Sequence, residues 1–360
     1  MNPNSSNPQY QHFERSLPVS IGRKQLLGVT GLLLILIGVM EIKARKDDFR
    51  VNYLPPTPEL WISQWLELDE LPSDQLVVLG ASRMQFGIIV PEWEAHTGVK
   101  PQILAWPGSP PGPVLSELAK RESFNGIVLC GFAPPFSFCH QDSLTTQRMK
   151  NNFKALKVAK YSLSHHLTLQ LRDFLLPRVK CLNSMAYSPI LTTFSNWPIE
   201  NRSGLLHSPI FPFGGSIDRE LNFRFRDNIE EKIHARLIDD IQDGSRRVLE
   251  HFGPADMDLL VEQYKRDVAT IESRGGRVVF IRPPSDDKYY AFELEHYPRE
   301  KFFDRIVKET GCLGIHFKDY PELDFPCVED SHLGVENALD YTRGVIEILK
   351  QNRILDRHEP

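Results

Sequence analysis

The sequence predicts an α/β fold, a parallel sheet wrapped by helices on both faces, and three observations carry that prediction. Short continuous apolar runs recur at Leu76-Val77-Val78-Leu79, Ile127-Val128-Leu129-Cys130 and Val278-Val279-Phe280-Ile281, with weaker ones at Gln102-Ile103-Leu104 and Leu313-Gly314-Ile315. Strands covered on both faces read as such runs, whereas a sheet with one wet face alternates apolar and polar residues. Stripes at helical spacing lie between and after them: Met257, Leu260, Val261, Tyr264, Val268 and Ile271 before the fourth strand, and Ala338, Leu339, Thr342, Val345, Ile346 and Leu349 near the C-terminus. Strands alternating with helices imply crossover connections, and hence a parallel sheet.

Taken in chain order, residues 1–25 are rich in Asn, Ser, Pro and Gln and read as a disordered tail. Residues 26–40 read LLGVTGLLLILIGVM without a charge, flanked by Arg23 and Lys24 before and by Glu41, Lys43, Arg45 and Lys46 after. Counting Ile42 and snorkelling lysines, the run reaches the ~17–25 residues of a spanning helix, which predicts a transmembrane signal anchor over 26–42. A cleaved signal peptide is the competing reading, but no small-x-small cleavage site follows. Basic residues on both sides leave the orientation unsettled by charge.

Residues 43–73 read as a linker and an amphipathic helix, with Thr57-Pro58-Glu59 as its start and Leu60, Trp61, Gln64, Trp65 and Leu68 at helical spacing. Residues 74–355 form the α/β domain. An insertion interrupts it over about residues 140–250, with helical pieces over 153–176, a Pro-, Ser- and Gly-rich span over 196–216 and a charged helix over 218–241.

The formal net charge of −5 offers no basic surface for phosphates, so nucleic acid is not an expected partner. Neither common Gly-rich phosphate loop is present, and no cofactor is expected. Five cysteines without a CxxC pair make neither a disulfide scaffold nor a zinc site; Cys312 and Cys327 are the nearest candidates for a bridge, the alternative being buried apolar thiols. His165-His166 has no acid at ligand spacing, and His207 and His296 stand alone, so no metal site is expected.

Two short segments can carry chemistry. Gly80-Ala81-Ser82-Arg83 sits where the first strand ends, and ligands in open α/β sheets gather beyond the carboxyl ends of strands. Ser82 is therefore a candidate nucleophile, or else the N-cap of the next helix. Glu329-Asp330-Ser331-His332 precedes the last helix and is either a second cap cluster or the base and acid that a nucleophilic serine requires.

With these segments in view, the chain resembles the SGNH hydrolase family, the GDSL-like esterases, in the Gly-x-Ser-Arg variant of its membrane-anchored bacterial members. The nucleophile motif lies within Val78-Leu79-Gly80-Ala81-Ser82-Arg83, the second block matches Trp106-Pro107-Gly108-Ser109, and the acid and histidine match Glu329 to His332. The resemblance covers about residues 74–350 apart from the insertion. It implies a three-layer flavodoxin-like sheet, Ser82 as nucleophile, His332 as general base and an oxyanion hole from the backbone N–H groups of Ser82 and Gly108. The orienting acid stays open: family spacing favours Glu329, residue type favours Asp330.

The third family block, Gly-x-Asn-Asp, falls on Gly131-Phe132-Ala133-Pro134, so its oxyanion-hole asparagine is absent. Arg83 and Arg282 are candidate substrate-binding groups that could supply charge instead, the alternative for each being a surface salt bridge. The implied function is a serine esterase or O-acyltransferase acting on an acyl ester of a cell-envelope carbohydrate, tethered to the bacterial cytoplasmic membrane by its N-terminal helix with the domain outside. A non-catalytic scaffold or binding protein of the same fold is the alternative.

Overall fold

The computed structural model of the chain describes residues 22–46, 58–160, 162–175, 178–179, 181, 214–215, 221–222 and 231–356. The predicted tail up to residue 21, the linker over 47–57 with Thr57, His207 and most of the Pro- and Ser-rich span lie outside the described residues. The fold is mixed α/β, with a five-stranded all-parallel sheet and many helices. Its strands are β1 (Leu76–Leu79), β2 (Gln102–Ile103), β3 (Ile127–Gly131), β4 (Arg277–Arg282) and β5 (Leu313–His316), hydrogen-bonded in the order β2-β1-β3-β4-β5.

Each strand coincides with one of the apolar runs, and the register explains why those runs are unbroken. Val77, Leu79, Val128, Cys130, Val278 and Phe280 pack into one core cluster, while Leu76, Val78, Ile127, Leu129, Val279 and Ile281 pack into a second. Successive side chains of a strand point to opposite faces. Both faces are therefore dry along the middle of the sheet, and the polar residues Gln102, Arg282 and His316 sit at strand ends.

The helices are α1 (Arg23–Lys46), α2 (Pro58–Glu67), α3 (Ser82–Gly87), α4 (Val90–Thr97), α5 (Gly112–Ala119), α6 (Pro134–Ser137), α7 (Leu144–Ala159), α8 (Leu163–Leu175), α9 (Glu231–Phe252), α10 (Met257–Ser273), α11 (Asp287–His296), α12 (Phe303–Thr310) and α13 (Val335–Gln351). The stripe beginning at Met257 is α10, started by Asp256, whose side chain accepts from the N–H groups of Asp258 and Leu259. The C-terminal stripe is α13, whose Ala338, Val345, Ile346 and Leu349 join the second core cluster. α2 begins at Pro58, a residue pre-set for a first helical turn. Trp61 of α2 is fully buried and its indole N–H donates to Leu104 O at 2.9 Å, which fastens the helix over the end of β2.

Among the described residues, one helix is long and apolar enough to cross a membrane: the N-terminal Arg23–Lys43 stretch, 21 residues with nothing in its apolar window buried. The helix extends past the 26–42 span expected from the uncharged run, because charged flanks such as Glu41 and Arg45 continue the same backbone ladder and pair with each other at i, i+4.

The bounds of the expected helices in the insertion need correction, and two open alternatives are decided. The helical pieces over 153–176 are instead α7 and α8, which start earlier and are parted near residue 160, and the charged helix over 218–241 runs as Glu231–Phe252. No Cys312–Cys327 bridge forms: all five cysteines are free thiols, and these two pack against the two different core clusters. The polar groups Arg83 and Arg282 form no surface salt bridges; both are buried.

Candidate active site

The turn after β1 is built by glycines that let backbone and side chain approach closely. Gly80 has φ +139°, and a Cβ on it would stand 2.9 Å from Gly131 O at the end of neighbouring β3 and 2.8 Å from Met84 Cγ. Gly131 is covered directly by the Met84 side chain, so Met84 of α3 lies across the ends of β1 and β3. Ala81, not Ser82, is the N-cap of α3, and it makes no side-chain cap bond. Ser82 is the first helical residue, so its hydroxyl is free of the capping duty the sequence left open to it.

That hydroxyl meets His332. Ser82 Oγ lies 2.7 Å from His332 Nε2, across 250 residues of sequence. His332 Nδ1 is in turn hydrogen-bonded to Glu329 Oε1. The loop that presents the histidine is closed by an antiparallel bridge between Cys327 and Leu333 and by Val328 N donating to His332 O at 2.8 Å. Asp330 at its tip adopts φ +61°, in the left-handed region. This turn places Glu329 and His332 side by side, three residues apart. Phe86 of α3 packs its ring against the imidazole, centroids 5.3 Å apart.

The two halves of the site are clamped from behind by Thr342 of α13. Its hydroxyl accepts from Ile89 N at 3.0 Å and has two carbonyls within donating reach, Ala338 O at 2.7 Å and Gly87 O at 3.0 Å, joining the helix after the histidine loop to the end of the helix that starts with Ser82.

Of the two candidate acids, the one that spacing favours is the one that meets the imidazole. Glu329 is fully buried and touches the imidazole. Asp330 is turned elsewhere: its carbonyl accepts from Asp286 N at 2.9 Å, and burial together with the Asp287 and Asp286 carboxylates pushes its own carboxyl above the ordinary range. The second oxygen of Glu329, Oε2, is buried with no hydrogen-bond partner among the described residues.

Gly108 lies in the turn after β2, which runs alongside the turn that carries Ser82. The parallel ladder continues past the strand ends, with Leu104 N donating to Val78 O and Trp106 N to Gly80 O, both at 2.9 Å. Gly108 itself has φ +64°, and Ser109 beside it keeps a buried hydroxyl without a partner among the described residues. The third block supplies no side-chain donor. Ala133 stands where the resemblance would place an asparagine, and its N–H is taken by Ser137 Oγ at 2.9 Å. Phe132 is fully buried, stacked on Phe280 at 5.3 Å.

Arg83 and Arg282 converge from two sides on one carboxylate, Glu293 of α11. Arg83 Nη2 lies 2.9 Å from Glu293 Oε1, Arg282 pairs with Glu293 Oε2, and Ser285 donates to the same oxygen at 2.6 Å. All three charged side chains are only 3% exposed. Burial works against both guanidinium charges. Glu293 outweighs it at Arg83, which is held above its ordinary value, but not at Arg282, which is pushed down to about 10. The cluster keeps one net positive charge in the interior.

This cluster also reaches the loops that carry Ser82 and His332. The Arg83 Nε and Nη2 groups both lie 3.3 Å from Ser331 Oγ, and the guanidinium stacks 4.9 Å over the Tyr289 ring. Arg83 thus ties the residue after Ser82 to the residue before His332. Glu293, Ser331 and Ser285 carried no signal in the sequence: Glu293 sits 210 residues from Arg83 in an otherwise unremarked helix.

No family model matches the chain, and no curated protein matches it.

Proposed function

We propose that the protein is a membrane-anchored serine esterase or O-acyltransferase of the SGNH type, with Ser82 as nucleophile. The observation that carries this reading is the relay from Ser82 Oγ through both nitrogens of His332 to a fully buried glutamate. A solvent-facing cap serine has no reason to be paired with an imidazole whose far nitrogen is held by an acid. The strand order β2-β1-β3-β4-β5, with a separate apolar core on each face of the sheet, supports the three-layer flavodoxin-like arrangement that this family implies.

In this mechanism His332 takes the Ser82 proton as Oγ attacks the ester carbonyl, and Glu329 stabilises the imidazolium that forms. The backbone N–H groups of Ser82 and Gly108 face the developing oxyanion. The alcohol leaves with the proton returned by His332, and the acyl group passes from Ser82 to water or to a sugar hydroxyl. Without the third-block asparagine, one oxyanion donor is missing, a loss of the kind that costs about 10²–10³ in rate. The buried net charge of the Arg83–Glu293–Arg282 cluster acts on that oxyanion through its field, since neither guanidinium is presented to solvent.

The missing donor also favours a second reading, a non-catalytic scaffold that kept the sheet and the serine. A fluorophosphonate probe separates the two, because only an activated serine reacts. Full-length protein in detergent is expected to label, with the adduct mapped to Ser82 by mass spectrometry. An unlabelled protein beside a reactive control hydrolase would leave the scaffold reading standing.

We also infer that α1 crosses the membrane once and that the domain lies on the outer side of the cytoplasmic membrane, where a cell-envelope carbohydrate ester is the substrate class. Support comes from the apolar exposure of α1 and from the layout of an N-terminal anchor ahead of a large domain. Alkaline phosphatase fused to the C-terminus is expected to be active. An inactive phosphatase with a fluorescent cytosolic reporter at the same position would place the domain in the cytoplasm.

A further inference from the structure

The outward face of α8 has the wrong chemistry for water. Leu163, Leu167, Leu171 and Phe174 are each between 54% and 72% exposed. At 100° per residue they fall within about 80° of arc, a single stripe along the helix. His165 and Leu169, on the opposite side, are the half-buried contacts to the domain. An apolar stripe of this kind marks an interaction surface rather than ordinary scatter.

Two further features say what covers it. The neighbouring helix α7 carries Arg148, Lys150, Lys154 and Lys157 and no acidic residue, and all four of these basic side chains are exposed. Val158, 71% exposed, lies among them. Beyond the C-terminal end of α8, the Arg178 guanidinium caps the Phe174 ring at 4.2 Å. Lys150, Lys154 and Lys157 share about 60° of α7, which packs on α2 as α8 does, and lysines on a helix next in the chain to an apolar stripe fit a membrane interface, with cations at the headgroups and leucines below them.

Residues just past the stripe touch the foot of α1. Arg45 Nη2 donates to Arg178 O at 3.2 Å, and Cys181 N donates to Glu41 Oε2 at 2.9 Å, where the apolar run of α1 gives way to charge. From the other direction, α2, which packs on α7 and α8, starts twelve residues after α1 ends, a reach of about 40 Å at most.

We propose that α8 lies in the plane of the membrane that α1 crosses, its apolar stripe in the acyl boundary and the basic face of α7 on anionic phospholipid headgroups. The inference rests on α1 being a spanning helix. The domain is then held against the bilayer at two points and presents a fixed side to it, rather than swinging on a tether.

The test uses the full chain carrying a protease site within residues 47–57, reconstituted into vesicles containing phosphatidylglycerol. Resistance of the uncut chain to alkaline carbonate extraction reports on α1 alone, so failure there removes the premise and is distinct from failure of α8. After cleavage, the domain is expected to stay on the vesicles. The Leu163→Ser, Leu167→Ser, Leu171→Ser variant, altered only at exposed positions, is expected to be retained about tenfold less, as is the wild-type domain on vesicles of phosphatidylcholine alone. Complete release of the wild-type domain overturns the proposal. So does equal retention of the variant, which would assign the hold to the α1 contacts, and so does release as a dimer, which would assign the stripe to a second copy.

Discussion

Ser82→Ala and His332→Ala are each expected to lower turnover of an activated ester such as p-nitrophenyl acetate by about 10⁴–10⁶, and the double variant is expected to be no worse than either. Residues that act as one relay are non-additive, since removing any member leaves the others without a partner. Glu329→Gln keeps the shape of the acid but not its charge and is expected to cost about 10²–10⁴, because the imidazolium loses its counter-charge and its fixed tautomer. Asp330→Asn, whose carboxyl does not touch the imidazole, is expected to remain within about threefold of wild type. Steady-state kinetics on the four single variants and the double variant decides the assignment. A crippled Asp330→Asn beside a normal Glu329→Gln would exchange the two acids, and retained turnover in Ser82→Ala would remove the serine mechanism altogether.

The second large effect is on stability. Glu293→Ala leaves the Arg83 and Arg282 guanidinium groups buried at 3% exposure with no carboxylate between them. Breaking a buried ionic cluster by removing one partner costs about 3–5 kcal/mol, since the remaining charges keep their desolvation cost and lose their compensation. The melting temperature is expected to fall by roughly 5–15 °C. The triple replacement Arg83→Met, Glu293→Leu, Arg282→Met is expected to be more stable than Glu293→Ala, because it removes the charges together and fills the volume. Thermal unfolding of the two variants measures this. If Glu293→Ala melts with wild type, the cluster is not energetically coupled as its geometry indicates. Even where the triple replacement folds well, esterase activity is expected to fall, since Ser331 loses the donors that hold it beside His332.

How far the sequence revealed this molecule depended on whether a signal was local. Leu76–Leu79 could be read directly because a strand with both faces covered leaves no polar position, and all five strands share that property to some degree. The stripes of α10 and α13 were legible because each buries one face against the sheet. α7 and α8 were not placed correctly, and the reason is physical: their apolar residues Leu144, Val158, Leu163 and Leu167 face outward, so hydrophobic periodicity did not track the domain core.

Within the site, Ser82, His332 and Glu329 were named because motif order and strand-end position are sequence properties. Glu293 was invisible, since an acid that neutralises two distant arginines has no pattern of its own. The same limit applied to Arg83 and Arg282, whose type was evident and whose burial was not. Thr342 looked like a core position on a helical stripe, and only the structure shows its hydroxyl joining Gly87 and Ile89.

The 250 residues between Ser82 and His332 also set a schedule. At synthesis rates of about 5–20 residues per second, the serine emerges roughly 12–50 s before its base. Glu329 and His332 then arrive almost together, and α13, which clamps them against α3, comes last of all. Through that interval the hydroxyl is an ordinary alcohol. On the proposed mechanism, a chain broken off before residue 332 holds the serine without its base, so such fragments are expected not to label with a fluorophosphonate.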